Sequence, residues 1–324
     1  MKKKTILSGM QPTGKLHLGN LEGALKNWVA LQNDYEMYCC IVDWHSLTSD
    51  YADTSSLQQK IKEVALDYLS AGLDPEKCAI FVQSQVKEHA ELHLLLSMFT
   101  PVARLARVPS YKEKRKELGL DSYGFLGYPL LQAADILVYR ADCVPVGKDQ
   151  LPHIELTREV ARKFNSLYGE VFPEPEALLT PHSVIPGVDG RKMSKSYNND
   201  IAIADTPEET AKKISMMFTD PQKIHKSDPG RPDQCPVYHL HKIYTEDHKK
   251  IHSDCIAGRL GCVQDKKNLA NNLNQKLKAI REKRKDLEKN SDYVSEVLQQ
   301  GAERAREKAQ KTMQEVRQAM RLIP

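Results

Sequence analysis

The sequence lacks any apolar run long enough to cross a membrane as a helix. It also lacks the apolar core of a signal peptide, because Ser8, Gly9 and Gln11 interrupt the stretch that follows the basic N-terminus. We therefore expect a cytoplasmic protein with no membrane segment.

Several chemical motifs are missing as well. The chain contains neither G-x-G-x-x-G nor G-x-x-x-x-G-K-[ST], which disfavours a plain dinucleotide-binding fold and a P-loop kinase. No acidic cluster looks like a dedicated metal cage, and no Ser-His-Asp signature for nucleophilic catalysis is visible. The seven cysteines are an odd number without framework spacing, so most of them should be free thiols.

The composition that remains is ordinary for a globular protein. The 324 residues suffice for one large domain and a smaller one, with 40% hydrophobic and 28% charged residues. The formal net charge of +4 permits a nucleic-acid partner but does not require one.

The order of predicted elements indicates an α/β fold. Helical patterns separate short strands that are predicted at residues 5–10, 37–47, 78–83 and 143–146. This alternation is typical of a parallel sheet that is covered by helices and binds ligands at the carboxyl ends of its strands. Helical patterns dominate after residue 200. The predicted domains are 1–200 with an insertion at about 100–127, a helical domain at 201–292, and a final helix at 293–324 that packs back on the body.

Two loops carry the candidate chemistry. The first predicted strand leads into a glycine-punctuated loop, 11–20, and then a helical pattern, an arrangement that aims backbone N–H groups at phosphate. The second loop, Lys192–Ser196 (Lys-Met-Ser-Lys-Ser), lies among Gly, Pro, Asn and Asp residues. Its two ammonium groups and two hydroxyls suit closure over a polyphosphate, although such a loop taken alone is usually a solvated surface.

Together the two loops carry a family resemblance. The segment His17–Asn20 (His-Leu-Gly-Asn) combined with Lys192–Ser196 resembles the signature pair of the class I aminoacyl-tRNA synthetases. The similarity runs along nearly the whole chain and weakens after about residue 230. Further stretches resemble the bacterial tryptophanyl branch of that family, namely 9–14, 41–45, 128–137, 144–150 and 153–158.

The resemblance implies a Rossmann-like parallel sheet with an inserted connective segment and a C-terminal helical domain that binds the tRNA anticodon. It implies ATP-dependent attachment of L-tryptophan to tRNA(Trp) through a tryptophanyl-adenylate, with release of pyrophosphate and AMP. ATP would bring Mg²⁺ on its phosphates, and a symmetric homodimer would bind each tRNA across its subunits. Three alternatives stay open: a tyrosyl-tRNA synthetase, a non-catalytic tRNA-binding paralogue, and a nucleotidyltransferase that makes a small activated metabolite.

The implied ATP site draws on both loops. Its lysines would act as mobile point charges on the β- and γ-phosphates. The catalytic residues implied by the resemblance are Gln11, Thr13, His17, Lys192 and Lys195. The residues implied for ATP binding are Gln11, Pro12, Thr13, His17, Gly19, Asn20, Gly147, Lys148, Asp149, Val184, Ile185, Lys192, Met193, Ser194, Lys195 and Ser196. No residue is implied as a protein ligand to a metal.

The residues that the resemblance implies for tryptophan binding are Leu7, His45, Tyr128, Gln132, Asp135 and Gln150. Asp135 is expected to decide specificity, because the indole N–H is a donor that needs an acceptor. The ordinary alternative is that Asp135 is a structural or surface carboxylate. Leu7 cannot hydrogen-bond a phenol, which favours tryptophan over tyrosine. Gln132 departs from the methionine of many bacterial relatives, and this leaves the shape of the slot open.

Two features outside the implied pocket have open interpretations. Cys235, Cys255 and Cys262, followed by Asp265, resemble an iron–sulfur site that some family members complete with a fourth cysteine. Free cysteines without a cluster are expected here. The basic stretches at 104–119 and 276–289 predict either solvated helix faces or surfaces that face RNA phosphates.

Overall fold

The fold is described for residues 3–179 and 184–323 by a computed structural model, which leaves out the side chain of Leu118. Within these residues the strands form one five-stranded sheet in the order β3-β2-β1-β4-β5, and all four strand pairs are parallel. The predicted α/β fold with a parallel sheet is confirmed. The strands are Thr5–Met10 (β1), Glu36–Ile41 (β2), Cys78–Val82 (β3), Cys143–Val146 (β4) and Glu176–Leu179 (β5).

Helices make up most of the remaining chain. The α-helices are Leu18–Asn20 (α1), Lys26–Leu31 (α2), Asp43–Asp50 (α3), Leu57–Ala71 (α4), Glu88–Ser97 (α5), Val102–Leu105 (α6), Pro109–Leu118 (α7), Tyr123–Val138 (α8), Leu151–Tyr168 (α9), Pro207–Ser215 (α10), Pro236–Tyr244 (α11), His248–Ile256 (α12), Cys262–Lys289 (α13) and Ser291–Ala319 (α14). A π-helical turn, Leu21–Leu25, separates α1 from α2. Single 3₁₀ turns cover Gln83–Gln85, Lys148–Gln150, Lys195–Tyr197 and Pro232–Gln234. No helix of the described ranges is long and apolar enough to cross a membrane.

The chain divides into two compact units that interleave along the sequence. The sheet unit comprises residues 1–14, 27–180 and 290–324, and the helical unit comprises 15–26 and 181–289. The predicted domain ranges stay a prediction, since units defined by spatial contact need not coincide with folding domains.

The sheet unit is built around apolar strands and the buried helix α8. The five residues of β3 are all buried, as expected for a strand covered on both faces. The C-terminal helix α14 packs against β3. Gly301 permits this close approach, because an added Cβ atom would collide with the backbone of Ile80.

The helical unit is built on α10, α11 and α13, and α10 and α11 each pack against α13. Helix α10 begins at a capping box in which Thr206 and Glu209 satisfy each other's backbone N–H groups. The buried guanidinium of Arg281 donates to the carbonyl of Ile203 at 3.1 Å and to the hydroxyl of Thr210 at 2.7 Å. A buried charge on α13 therefore fixes the segment that precedes α10.

Three details of the predicted elements are wrong. The strand predicted at 37–47 ends at Ile41, and Asp43 begins α3, where its carboxylate accepts the N–H groups of Trp44 and Ser84. The basic stretch at 104–119 is divided between α6 and α7, because Pro109 holds the preceding residue in an extended conformation. Strand β5 was not predicted, since its residues are half-buried or exposed and form no apolar run.

Candidate active site

Asp135 lies at the centre of a buried polar network in the sheet unit. The residue is 3% exposed and projects from α8. Its Oδ1 accepts hydrogen bonds from Gln83 Nε2 and His89 Nδ1, both at 2.7 Å, and its Oδ2 pairs with His45 Nε2 at 2.8 Å. The hydroxyl of Tyr139 lies 2.7 Å from the other ring nitrogen of His89. Three nitrogen donors therefore converge on one carboxylate.

This network keeps Asp135 ionised. Burial alone would raise the pKa of Asp135, but the His89 and His45 rings, through charge and hydrogen bonds, outweigh it and lower the pKa to about 2. Each carboxylate oxygen has two acceptor positions. Oδ1 uses both of them, whereas Oδ2 has only His45 among the described residues. Asp135 therefore combines a fixed negative charge with one remaining acceptor position, which suits recognition of an N–H donor.

Tyr128, also on α8, takes part in a second network of hydrogen bonds. Its hydroxyl lies 2.7 Å from Ser110 Oγ, which lies 2.7 Å from His153 Nε2. Burial of the His153 ring, with the charge of Lys114, lowers its pKa to about 4, so the imidazole is neutral at pH 7. The Tyr128 ring is therefore fixed by contacts from α7 and α9.

The other residues predicted for tryptophan binding are distributed over the sheet unit. Leu7 on β1 is buried and belongs to the same apolar core as Tyr128, whereas Gln132 on α8 is half-buried. Gln150 is half-buried and donates to Asp149 at 3.1 Å. His45 is the member of this set that directly contacts Asp135.

The ATP residues predicted in the sheet unit lie in two loops. Gln11 follows β1 and donates to the backbone carbonyl of His45 at 3.3 Å, with Pro12 buried and Thr13 exposed beside it. Gly147 is half-buried after β4, and Lys148 and Asp149 are exposed in the 3₁₀ turn that follows. Both loops leave the sheet at the carboxyl ends of adjacent strands, as the ligand-binding edge of a parallel sheet requires.

In the helical unit, His17 caps the short helix α1. Its Nδ1 accepts the N–H of Asn20 at 3.3 Å, and the Asn20 side chain accepts the N–H of His17 at 3.0 Å. A backbone bridge to Ala202 and a bond from Leu18 N–H to the Ile201 carbonyl hold the segment in place. Because Nδ1 is an acceptor, the imidazole must be unprotonated at that nitrogen.

Gly19 lies directly against the His17 ring. An added Cβ atom would lie 2.9 Å from the His17 ring and 3.9 Å from Met193 Cβ. Gly19 therefore makes room for the His17 ring in this structure and lies close to the Lys192–Ser196 loop.

The charge state of His17 follows from its surroundings. Burial of the ring lowers the pKa of His17 to about 4, with Asp200 opposing the shift and Lys195 and Lys192 adding to it. Both lysines of the signature therefore lie close enough to His17 to lower its pKa through their positive charge.

We expect the His17 ring to titrate near pH 4 in the free protein, which histidine side-chain NMR measures. The lowered pKa means that folding favours the neutral ring. The His17 contribution to stability is therefore complete above pH 6.5 and is lost as the pH falls from 6.5 through 4. Lys195→Ala should raise this pKa, since it removes a neighbouring positive charge. A wild-type value at or above 6 would contradict a neutral helix cap.

The remaining predicted ATP residues form the loop around the signature. Lys192 and Ser196 are exposed, Ser194 and Lys195 are half-buried, and Met193 is buried. Val184 is 61% exposed, and the carbonyl of buried Ile185 accepts the N–H of Met193 at 2.8 Å. This hydrogen bond to the Ile185 carbonyl therefore anchors the signature loop to the segment that precedes it.

The cysteines of the helical unit are free thiols in this structure. Burial raises the pKa of the Cys235 and Cys255 thiols, the latter to about 11, which favours the protonated form over the thiolate that binds metals. Within residues 3–179 and 184–323 no group of three or more His, Cys, Asp and Glu side chains is arranged to hold a metal ion.

Comparison with known proteins identifies the family. The profile of the class I tRNA synthetases for tryptophan and tyrosine (W and Y) matches residues 1–278. The chain belongs to this family. It is 51% identical to a tryptophan–tRNA ligase of Thermotoga maritima over 325 residues, covering 98% of this chain and 99% of the relative. It is 46% identical to the enzyme of the same name from Aquifex aeolicus, with coverage of 98% and 99%.

A solved structure supports the same assignment. The tryptophanyl-tRNA synthetase of Campylobacter jejuni, crystallised with ADP and tryptophan, superposes with a TM-score of 0.88 at 38% identity and covers 98% of this chain. The family prediction made from the two signature segments is therefore confirmed, as is the prediction that this class I synthetase is an enzyme.

Several residues of this synthetase were missed by sequence reasoning. Gln83 directly follows β3, so the rule that ligands bind at the carboxyl ends of strands was a usable signal for it. His89 gave no comparable signal, because helix packing brings it to Asp135 and to Tyr139 from 46 and 50 residues away. Ser110 lies in the predicted insertion, where nothing in the sequence indicated a bond to Tyr128.

Proposed function

We propose that this chain activates L-tryptophan with ATP and transfers it to tRNA(Trp), with release of pyrophosphate and AMP. The relatives at 46% and 51% identity over nearly the whole chain carry that name. The structural observation that carries the proposal is the buried Asp135 carboxylate, whose Oδ2 bonds to His45 and has a further acceptor position that no other described residue uses. An indole N–H is a donor that matches this position.

In the first step the tryptophan carboxylate attacks the α-phosphorus of ATP, and pyrophosphate leaves. Such phosphoryl chemistry depends on positioning and charge stabilisation rather than on a covalent intermediate with the protein. Lys192 and Lys195 neutralise the charge that develops on the leaving phosphates. The neutral ring of His17, supported by its bonds with Asn20, contacts the phosphates as a hydrogen-bonding group.

Residues of the sheet unit have proposed roles as well. Gln11 and Thr13 contact ATP or the reacting carboxylate, and Gly147 and Asp149 contact the nucleotide. Gln150 binds the α-amino group of tryptophan. In the second step the terminal ribose hydroxyl of tRNA(Trp) attacks the carbonyl carbon of the adenylate, and AMP leaves. ATP supplies the energy for both steps.

Specificity for tryptophan over tyrosine follows from two buried positions. Asp135 accepts the indole N–H, and phenylalanine would leave this charged acceptor without its partner. Leu7, 5% exposed on β1, offers no hydrogen bond to a tyrosine hydroxyl. Tyr128 forms a wall of the slot and is held there by Ser110. A tyrosyl-tRNA synthetase is therefore the less favoured candidate.

We also propose three features that the family resemblance suggests. Mg²⁺ enters with ATP and keeps most of its water ligands, as is typical for magnesium bound through substrate phosphates. The enzyme acts as a homodimer in the cytoplasm, and one tRNA(Trp) contacts both subunits. The basic residues of α13 are a candidate surface for RNA phosphates.

The direct test is ATP–pyrophosphate exchange with each standard amino acid in turn. We expect exchange with tryptophan and little or none with tyrosine or phenylalanine, followed by aminoacylation of tRNA(Trp) but not of tRNA(Tyr). Exchange that prefers tyrosine would support the alternative synthetase. Absence of exchange with every amino acid, from a protein with a cooperative thermal transition, would support a non-catalytic paralogue.

A further inference from the structure

Asn199, three residues after the Lys192–Ser196 signature, is buried although the residues on either side of the signature are mostly exposed. The residue is 1% exposed, whereas residues 189–192 and 196–198 are exposed. A buried primary amide needs partners for its carbonyl oxygen and its two N–H groups. The partners of Asn199 identify what it does in the loop.

The Asn199 side chain joins the signature to the segment that precedes it. Its Oδ1 accepts the N–H of Ser194 at 2.8 Å. Its Nδ2 donates to Asp189 Oδ1 at 2.7 Å and to the carbonyl of Lys192 at 3.2 Å. One side chain therefore satisfies two backbone groups of the signature and a carboxylate located before it.

Backbone hydrogen bonds of Asn199 also hold the segment that precedes the signature. The carbonyl of Asn199 accepts the N–H of Val188 at 2.9 Å, and the carbonyl of Val188 accepts the N–H of Phe218 at 2.8 Å. At Gly187 an added Cβ atom would overlap the Asn199 amide and lie 2.7 Å from its carbonyl oxygen. The glycine therefore leaves the space that the buried amide occupies.

A second set of contacts fixes Asp189, the acceptor of the Asn199 amide. Arg191 Nε donates to Asp189 Oδ2 at 2.7 Å, and the same guanidinium lies over the Tyr197 ring at 4.5 Å. Bonds from Asn199 and Arg191 lower the pKa of Asp189, so this group stays a carboxylate at neutral pH. The Asn199 amide therefore faces a fixed negative charge, which requires a donor at that position.

We propose that Asn199 is a positioning residue that sets the backbone path of Lys192–Ser196, and thereby the places from which Lys192 and Lys195 act on ATP. This inference rests on the proposed role of those two lysines in tryptophan activation. The amide is required because it both accepts from Ser194 and donates to Lys192 and Asp189. A carboxylate has nearly the same shape but only accepts.

Asn199→Asp is the most selective test. It retains the bond from Ser194 N–H, loses both donated bonds and brings two carboxylates into contact. We expect kcat for tryptophan-dependent pyrophosphate exchange to fall roughly 10- to 100-fold, since the loop that carries both lysines loses two of its hydrogen bonds and misplaces their ammonium groups. The KM for tryptophan should not change, because the lysines act on ATP. The matched control is Asn198→Asp, which adds the same charge at the exposed neighbouring residue and should stay within about twofold of wild type.

Two further measurements distinguish positioning from a general loss of structure. The activity of Asn199→Asp relative to Asn198→Asp should rise as the pH falls, because a protonated carboxyl regains a donor. The double variant with Asp189→Asn and Asn199→Asp exchanges donor and acceptor, and should recover about tenfold of the lost kcat. If Asn199→Asp merely damaged the fold, neither the lower pH nor the added Asp189→Asn substitution would restore kcat.

Loop order provides a readout that does not depend on activity. Trypsin should cleave after Lys192 and Lys195 several-fold faster in Asn199→Asp than in Asn198→Asp, at equal thermal stability. If Asn199→Asp does not fold, Gly187→Ala replaces it, because its added methyl group displaces the same amide. Equal cleavage and equal kcat for the two asparagine variants would overturn the inference, even when the wild-type protein exchanges with tryptophan. Wild-type protein without exchange would refute the proposed function, and the cleavage rates would then decide the inference alone.

Discussion

Asp135→Asn is expected to lower kcat/KM for tryptophan in pyrophosphate exchange by about 100-fold, since hydrogen bonds to charged groups contribute about 1.5–3 kcal/mol. The physical reason is the number of donors that converge on this carboxylate from Gln83, His89 and His45. An amide has only one acceptor atom. If the carbonyl takes the Oδ1 position to satisfy Gln83 and His89, the NH₂ group takes the Oδ2 position and faces the indole N–H.

The same variant should leave the KM for ATP within about twofold of wild type, because none of the described residues with a proposed ATP contact bonds to the Asp135 carboxylate itself. Asp74→Asn, a substitution of a turn carboxylate elsewhere in the sheet unit, serves as the matched control and should behave as wild type. Thermal melts of both variants show how much stability each has lost. An unchanged tryptophan kcat/KM in folded Asp135→Asn would refute the assignment of Asp135 as the indole acceptor.

Replacement of Lys192 or Lys195 by alanine should lower kcat for pyrophosphate exchange by about 100-fold each, the usual cost of losing one preorganised transition-state donor. The reason is that both ammonium groups act on charge that grows as pyrophosphate leaves. Tryptophan binding, measured by equilibrium titration without ATP, should be unchanged. Lys212→Ala, a substitution of an exposed lysine on α10 of the same unit, is the control and should retain full activity.

The double variant with both lysines replaced adds a second criterion. If the two lysines act on the same leaving group, their effects should combine to less than the product of the single losses, because residues that act as a unit are not additive. Losses that appear only in the KM for tryptophan would contradict the role assigned to the loop. A double variant no worse than the worse single variant would show that one lysine acts through the other.

The sequence indicated much of the sheet and the two signature segments, and the reasons are local. Strands β1 and β4 appear as short apolar runs, and their predicted limits match the structure. Gly72, a glycine at the end of an apolar helical pattern, ends α4 with a left-handed backbone at φ 114°. These features depend on residues near one another in the chain, which is what periodicity and turn chemistry can detect.

The parts that the sequence did not indicate depend on distant contacts. Asp135 was predicted as an acceptor, but its partners Gln83 and His89 come from 52 and 46 residues away, and no sequence pattern pairs them with Asp135. His45 was predicted at the end of a strand and lies in the first turn of α3. Asn199 looked like an ordinary turn residue, and only its burial and its three side-chain bonds identify its role.

The most direct measurement compares tryptophan with the analogue in which sulfur replaces the indole N–H, 3-(benzothienyl)alanine, in wild type and in Asp135→Asn. We predict that wild type prefers tryptophan by roughly 10- to 100-fold in kcat/KM, the usual range for one hydrogen bond to a charged acceptor. In Asp135→Asn that preference should fall close to one. A preference that survives in Asp135→Asn but disappears in Gln83→Leu would contradict the central claim, because Gln83 bonds to Asp135 and its Oε1 is a buried acceptor without a hydrogen-bond partner among the described residues.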